Sequence, residues 1–172
     1  PVFVVDLITF DLIEDFEMWA RATQWGEFGR SSQWVWATTE SFHFVGLSLL
    51  IGTVGLFDLR LMGMAKSIPV AALHRLIPLG IAGYAVNLFT GSLFLCAYPD
   101  QYLYNRAFQF KMAFMVLAGL NILAFYSAGF RQAKTVGPGE DASLQIRLIA
   151  AFSFFLWFGV LTCGRLLTFY RP

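Results

Sequence analysis

The chain contains four long charge-free stretches that are separated by short charged segments. They are Ser41–Phe57, Leu76–Pro99, Met112–Phe130 and Leu148–Gly164, with 17, 24, 19 and 17 residues. About 20 apolar residues, each rising about 1.5 Å, cross the roughly 30 Å hydrocarbon core of a bilayer. None of the stretches carries the polar stripe that a helix of a soluble bundle turns towards water. The pattern therefore predicts an all-α fold, a bundle of four transmembrane helices.

The segment before the first stretch has a different pattern, with apolar side chains every three or four residues. Val5, Ile8, Leu12, Phe16 and Trp19 share one helical face at this spacing. Four of the five tryptophans also lie in this segment, and tryptophan favours the headgroup layer. Residues 1–36 are therefore predicted to form an amphipathic helix on the membrane surface, and residues 37–172 the transmembrane domain. We expect the helix to shield the ends of the spans, with docking on a partner protein as the alternative.

Composition and charge restrict the class of protein further. Hydrophobic residues make up 58% of the chain and charged residues 13%, against about 25% charged in soluble domains. The net charge of +1 gives no reason to expect a nucleic-acid partner. Lysine and arginine near the spans set membrane orientation, but six lie on each side. The acidic N-terminal segment then favours both termini on the periplasmic or outer side.

Small and polar residues within the stretches predict where the helices touch, because helices in a bilayer associate through close backbone approach. Residues spaced in this way are Ser48 and Gly52 in the first stretch, Gly83, Asn87 and Gly91 in the second, and Asn121 in the third. Both asparagines are expected to face inward, since an amide facing lipid would be unpaired. We expect them to bond backbone carbonyls or each other rather than a ligand.

The two histidines are the main candidates for cofactor chemistry. A histidine in an apolar helix is a natural axial ligand for haem iron, but His43 and His74 are separated by roughly 16 residues of helix, or about 24 Å. They cannot both ligate one iron within a subunit. A haem b or metal site would therefore use His43 with another ligand such as Met112 or Met115, or would lie between subunits. The simpler expectation is a histidine that is hydrogen-bonded to a neighbouring helix.

Charges at the edges of the stretches are the remaining polar candidates. Asp58, Arg60 and Lys111 are interpreted as boundary anchors, because long side chains reach the headgroups at little cost. No Asp or Glu lies inside a stretch, so a proton pathway is not expected. The chain shows no nucleophile with a base and no phosphate loop, which argues against an enzyme.

The two cysteines lie near the ends of the second and fourth stretches, on the same side. A disulfide between Cys96 and Cys163 is geometrically conceivable if that side is oxidising. Small buried thiols without a bond are the commoner outcome.

Three sequence blocks resemble a known family. They are His43–Gly63 (HFVGLSLLIGTVGLFDLRLMG), Gly83–Phe94 (GYAVNLFTGSLF) and Ala107–Asn121 (AFQFKMAFMVLAGLN). Over about residues 30–130 the chain is similar to an uncharacterised family of small four-helix bacterial inner-membrane proteins. It is more distantly similar to the membrane domain of copper-resistance D proteins and to cytochrome b561-like bundles. The resemblance implies a bacterial inner membrane, four spans, proximity to metal or redox systems, and a match of His43 to the family's histidine in the first span.

Two functional hypotheses follow. In the first, the chain is a non-enzymatic membrane subunit that packs, among lipids, against other subunits or a second copy in a larger assembly for electron transfer or photosynthesis. In the second, it is a small haem- or metal-binding electron-transfer protein that uses His43 and contacts a quinone. The first is favoured because only one histidine is well placed.

Overall fold

The computed structural model describes residues 2–169, with side chains from Asp11 onward, and within that range the chain is helical without β-strands. Helix accounts for 82% of the residues, which confirms the all-α class. The helices are α1 (Val2–Ala22), α2 (Gln24–Arg30), α3 (Gln33–Leu61), α4 (Val70–His74), α5 (Ile77–Ala97), α6 (Pro99–Leu103), α7 (Arg106–Ala124), α8 (Phe130–Ala133) and α9 (Leu144–Leu166), with a π turn (Phe125–Gly129) between α7 and α8.

Four helical stretches are long and apolar enough to cross a membrane. They are Gln33–Leu61, Val70–Ala97, Arg106–Ala133 and Leu144–Leu166. Three of them contain a predicted stretch completely, whereas Val70–Ala97 begins before the predicted Leu76–Pro99 and ends two residues short of it. The first helix alone has 29 residues, or about 43 Å at 1.5 Å per residue. These four helices suggest a multi-pass membrane protein.

Local sequence explains where the long helices begin and end. The Ser32 hydroxyl accepts a hydrogen bond from the Trp34 N–H at the start of α3. The Asn105 side chain does the same for Ala107 at the start of α7. Such caps satisfy backbone donors that have no partner within the helix. After α3, Gly63 adopts a φ of 102°, a conformation that glycine adopts without strain and that reverses the chain.

The long helices form two hairpins, α3 with α5 and α7 with α9. Contacts between α3 and α9 join the hairpins, whereas α5 and α7 make few direct contacts with each other. The bundle therefore has a continuous wall formed by α3 and α9, and it leaves a cleft between α5 and α7.

The contact face of α3 differs from the predicted one. Ser48 and Gly52 are exposed, and a Cβ atom on Gly52 would meet nothing within 4 Å. The close approach occurs instead at Gly46, because a Cβ atom on Gly83 would lie 2.5 Å from the Gly46 carbonyl oxygen. Position 48 is two residues from position 46, or about 200° around the helix. The prediction of Ser48 and Gly52 as packing residues is therefore wrong for contacts within the chain.

The other predicted packing residues lie at or near helix contacts. Asn87 Nδ2 donates to the Gly83 carbonyl oxygen at 3.0 Å beside the α3–α5 crossing. Asn121 Nδ2 donates to the Ile149 carbonyl oxygen at 3.2 Å and links α7 to α9. Gly91 faces His43, whose Cε1 atom would lie 3.9 Å from a Cβ atom there.

The N-terminal helices pack against the bundle. Leu12 is 62% exposed and Trp19 61% exposed, whereas Ala20 is fully buried. The apolar face predicted for α1 therefore points away from the protein, as a membrane-surface helix requires. Val5 and Ile8, the other predicted members of that face, lie outside the residues whose side chains are described. The predicted boundary between the surface segment and the transmembrane domain, after residue 36, falls within α3, which begins at Gln33.

Candidate functional site

A cleft lies between α5 and α7. It has a volume of about 230 Å³ and mostly apolar walls from α3, α5, α7 and α9. An engineered cavity of about 150 Å³ in another protein holds benzene, so this cleft has room for a larger ring. Its aromatic wall residues are Phe57, Tyr84, Phe125, Tyr126 and Trp157.

Asp58 lies in the wall of this cleft and not on the outer surface of the bundle. It is only 4% exposed, and its carboxyl interacts with the Ser153 hydroxyl of α9. The Oδ2 atom is buried without a hydrogen-bond partner. A side chain buried in this way does not extend to the headgroups as the anchor interpretation requires, because α3 continues to Leu61 and packs against α9. Asp58 directly follows the charge-free stretch Ser41–Phe57 but lies within the helix of the first candidate span.

Trp157 provides a second unsatisfied polar atom in the same wall. The residue is 6% exposed and its Nε1–H has no partner. It follows Ser153 by four residues on α9, so the two side chains are neighbours on one helical face. Sequence reasoning missed Trp157; its only signal was that it is the one tryptophan outside the N-terminal segment.

Arg60 is also buried, which makes its interpretation as a boundary anchor wrong. It is 0% exposed, and its guanidinium donates to the carbonyl oxygens of Ile68 at 2.6 Å, Gly137 at 2.8 Å and Glu140 at 3.3 Å. These carbonyls belong to the segments after α3 and before α9. Arg60 therefore fastens the two connections together near the Asp58 end of the cleft.

The π turn borders the cleft through Phe125 and Tyr126. The Tyr126 hydroxyl and the His74 Nε2 atom form a hydrogen bond of 3.2 Å, which links α4 to the π turn. Single π turns inside helices are frequent at functional sites because they re-aim side chains. Here the turn places an aromatic residue at the mouth of the cleft.

His43 lies on the other half of α3, 15 residues before Asp58, or about 22 Å along the helix. Its Nδ1 atom is 2.7 Å from the Thr90 hydroxyl of α5. That hydroxyl also lies 2.7 Å from the Val86 carbonyl oxygen, and when it donates its proton there, Nδ1–H is the donor to Thr90. In the neutral ring the lone pair is then on Nε2, the arrangement found in metal-ligating histidines whose other nitrogen is hydrogen-bonded.

The remaining sequence candidates lie in different parts of the bundle. Met115 lines the cleft and packs against a cluster around Trp157, and Met112 is half-buried. Lys111 is half-buried, with its Nζ atom 3.9 Å from the Cβ position of Gly164 on α9. Cys96 and Cys163 are both free thiols.

No group of three or more His, Cys, Asp or Glu side chains that could hold a metal ion occurs among the described residues.

The whole cleft lies within the part of the chain that matches one protein family. A family model described as a family of unknown function (DUF6644) matches residues 16–170. The match begins in α1 and ends beyond α9, so it includes every residue of the cleft. The searches of curated proteins and of solved structures found no significant match.

Proposed function

This chain belongs to the DUF6644 family of unknown function, and we propose from its geometry that it is a non-enzymatic membrane subunit that holds a small ligand from the lipid phase in its lateral cleft. One observation carries the proposal. Asp58 Oδ2 and Trp157 Nε1 are both buried and unpartnered in the walls of an otherwise largely apolar cleft. Sites for small molecules combine apolar walls with a few such polar groups.

The energetics favour an occupied cleft. A buried polar atom without a partner costs about 1 to 3 kcal/mol, and the cost is recovered when a partner is supplied. A ligand that satisfied both atoms would stabilise the folded chain and would also fill space in the cleft. Binding, rather than reaction, is the chemistry proposed for it.

The setting proposed for this binding is a bacterial inner membrane. It rests on the four apolar helices and on the resemblance to small four-helix inner-membrane proteins. Large apolar side chains such as Phe89, Leu123 and Phe158 are exposed on the outer faces of the helices. These faces suit lipids, other subunits of an electron-transfer or photosynthetic assembly, or a second copy.

A pair of glycine variants tests the proposed function. Gly119 lines the cleft, and a Cβ atom there would meet nothing within 4 Å, so Gly119→Phe projects a ring into open space. Gly52 is equally open but lies outside the cleft, which makes Gly52→Phe the matched control. The measurement is mass spectrometry of small molecules that copurify with each protein in mild detergent.

We expect a molecule at fixed stoichiometry with the wild type and Gly52→Phe, and its loss from Gly119→Phe. The same set of molecules on all three proteins would refute a ligand held in the cleft.

A second candidate function, haem or metal binding at His43, is favoured by the hydrogen bond between His43 Nδ1 and the Thr90 hydroxyl. A ring held at Nδ1 in this way has Nε2 as its ligating atom for iron. An absorption spectrum after haem reconstitution tests this function. A Soret band that persists in His74→Ala and vanishes in His43→Ala supports it, whereas no band in the wild type rejects it.

A further inference from the structure

The cleft has the size and the walls of a site for one flat ring. Its volume is about 230 Å³, and aromatic side chains from α3, α5, α9 and the π turn contribute to its walls. Aromatic rings pack favourably edge to face at centroid distances of about 4.5 to 7 Å. Tyr84 and Trp157 already pack in this way, at 6.2 Å and 78°, so a bound ring would extend an existing aromatic arrangement.

The two unpartnered atoms specify the polar group on that ring. Trp157 Nε1 can only donate, so the ligand must present an acceptor. Asp58 Oδ2 accepts when the carboxyl is ionised and can donate when it is protonated, so a group with both capacities satisfies it in either state. A hydroxyl has both. An ammonium offers no acceptor to Trp157, and a carboxylate would be repelled by an ionised Asp58.

The position of the cleft specifies how such a ligand enters. The cleft is bounded by α5 and α7, which make few contacts with each other. Ile81 on α5 is 63% exposed, so the wall of the cleft continues onto the outer face of the bundle. A ring bound inside can therefore extend an alkyl chain outward between α5 and α7, into the lipid that the proposed function requires.

We infer that the ligand is a single-ring amphiphile of the phenol class, whose hydroxyl group pairs with Asp58 Oδ2 and accepts a hydrogen bond from Trp157 Nε1, and whose alkyl chain leaves between α5 and α7. This inference rests on the proposed function and adds the chemical class of the ligand. It also assigns one binding contact each to Asp58 and Trp157.

Three probes that differ in one group test the class. They are 4-hexylphenol, its methyl ether 4-hexylanisole, and hexylbenzene. Binding is measured by titration calorimetry with the protein in lipid nanodiscs, after correction for uptake by empty nanodiscs. We expect the phenol to bind at least about tenfold more tightly than the ether, because only the phenol offers an O–H to Asp58.

Two variants assign the contacts. Asp58→Asn presents an amide N–H, which donates to phenol and ether alike, and should reduce the tenfold preference to threefold or less. Trp157→Phe keeps a ring but removes the donor, and should weaken phenol and ether by a similar factor, about fivefold, while leaving hexylbenzene unchanged. Circular dichroism and size exclusion identify a variant that fails to fold, and either variant alone can contradict the assignment.

The outcomes separate the two proposals. Equal binding of all three probes, abolished by Gly119→Phe, would overturn the phenol class and retain the cleft as a binding site. A preference for the phenol that survives both Asp58→Asn and Trp157→Phe would overturn the assigned contacts. Binding that Gly119→Phe leaves unchanged would place the probes elsewhere and count against the proposed function as well.

Discussion

At the scale of single residues, Arg60 makes the strongest prediction for stability. Its buried guanidinium satisfies carbonyl oxygens of Ile68, Gly137 and Glu140, and methionine offers none of these donors. Arg60→Met should lower the free energy of unfolding by about 3 kcal/mol or more, since buried acceptors lose charged donors. Denaturation of the detergent-solubilised protein followed by circular dichroism measures the change.

Arg131→Met is the control, because Arg131 is exposed on α8 and should change stability by less than about 0.5 kcal/mol. Equal effects of the two substitutions would show that the Arg60 bonds contribute nothing particular.

Arg60 and Asp58 also show where sequence reasoning fails. A charged residue marks the end of an apolar stretch, so the sequence pattern alone indicates that both residues are boundary anchors. Their burial depends on the packing of α9 and of the connections against the end of α3. Such contacts arise from distant parts of the chain, and the local pattern does not contain them.

At the scale of helices, the crossing of α3 and α5 depends on the absence of side chains at Gly46 and Gly83. Gly83→Leu would force a side chain into the Gly46 backbone, because even a Cβ atom lies 2.5 Å from its carbonyl oxygen. We expect a loss of about 1 to 3 kcal/mol or more in the free energy of unfolding. The same denaturation assay measures it.

Gly52→Leu is the matched comparison, since Gly52 lies on α3, the other helix of this pair, and faces open space. It should be neutral or slightly stabilising, because leucine favours helix more than glycine does. A larger loss of unfolding free energy for Gly52→Leu than for Gly83→Leu would show that the face containing Ser48 and Gly52 makes a helix contact.

The existence of the four apolar helices was predictable, whereas their contacts were not. Charge-free length is a local property, and the structure contains a long helix at each predicted stretch. Small residues recur at helical spacing on two faces of α3, with Gly46 and Thr53 on one face and Ser48 and Gly52 on the other. Choosing between these faces requires the position of α5, which the spacing alone does not provide.

An ion pair between the α3–α4 connection and the α8–α9 connection predicts that stability depends on pH. The Lys66 ammonium bonds the Asp141 carboxylate at 2.8 Å and, with Arg147 and Arg60 nearby, holds the pKa of that carboxyl below its usual value. A lowered pKa stabilises the folded state above the unfolded pKa of about 3.9, and the contribution is lost as pH falls through the folded pKa.

Asp141→Asn should therefore lower the thermal midpoint at pH 7 by a few degrees at most, since the pair is exposed. The difference from the wild type should shrink below about pH 4. Lys66→Gln should remove the same dependence on pH. A difference that stays constant from pH 7 to pH 3 would exclude the Lys66–Asp141 pair as its source.

At the scale of the whole molecule, the cleft results from the order in which the helices pack. Each hairpin is local in sequence, and α3 meets α9 across the two hairpins. This arrangement separates α5 from α7, although they are neighbours along the chain, and it brings Asp58, Ser153 and Trp157 into one wall. No pattern in the sequence fixes which helices become neighbours, so the candidate site was not predictable although the fold class was.

The orientation of the whole chain gives the last prediction. If all four candidate helices cross the membrane, both ends of the bundle lie on one side, and the acidic residues of the N-terminal segment favour the periplasmic side. A full-length C-terminal fusion to alkaline phosphatase should therefore be active, and the corresponding fusion to green fluorescent protein dark. Fusions made after Gly139, in the connection between α8 and α9, should show the reverse. Fluorescence at the C-terminus with phosphatase activity at Gly139 would show the opposite orientation. The same reporter active at both positions would contradict a fourth span between them.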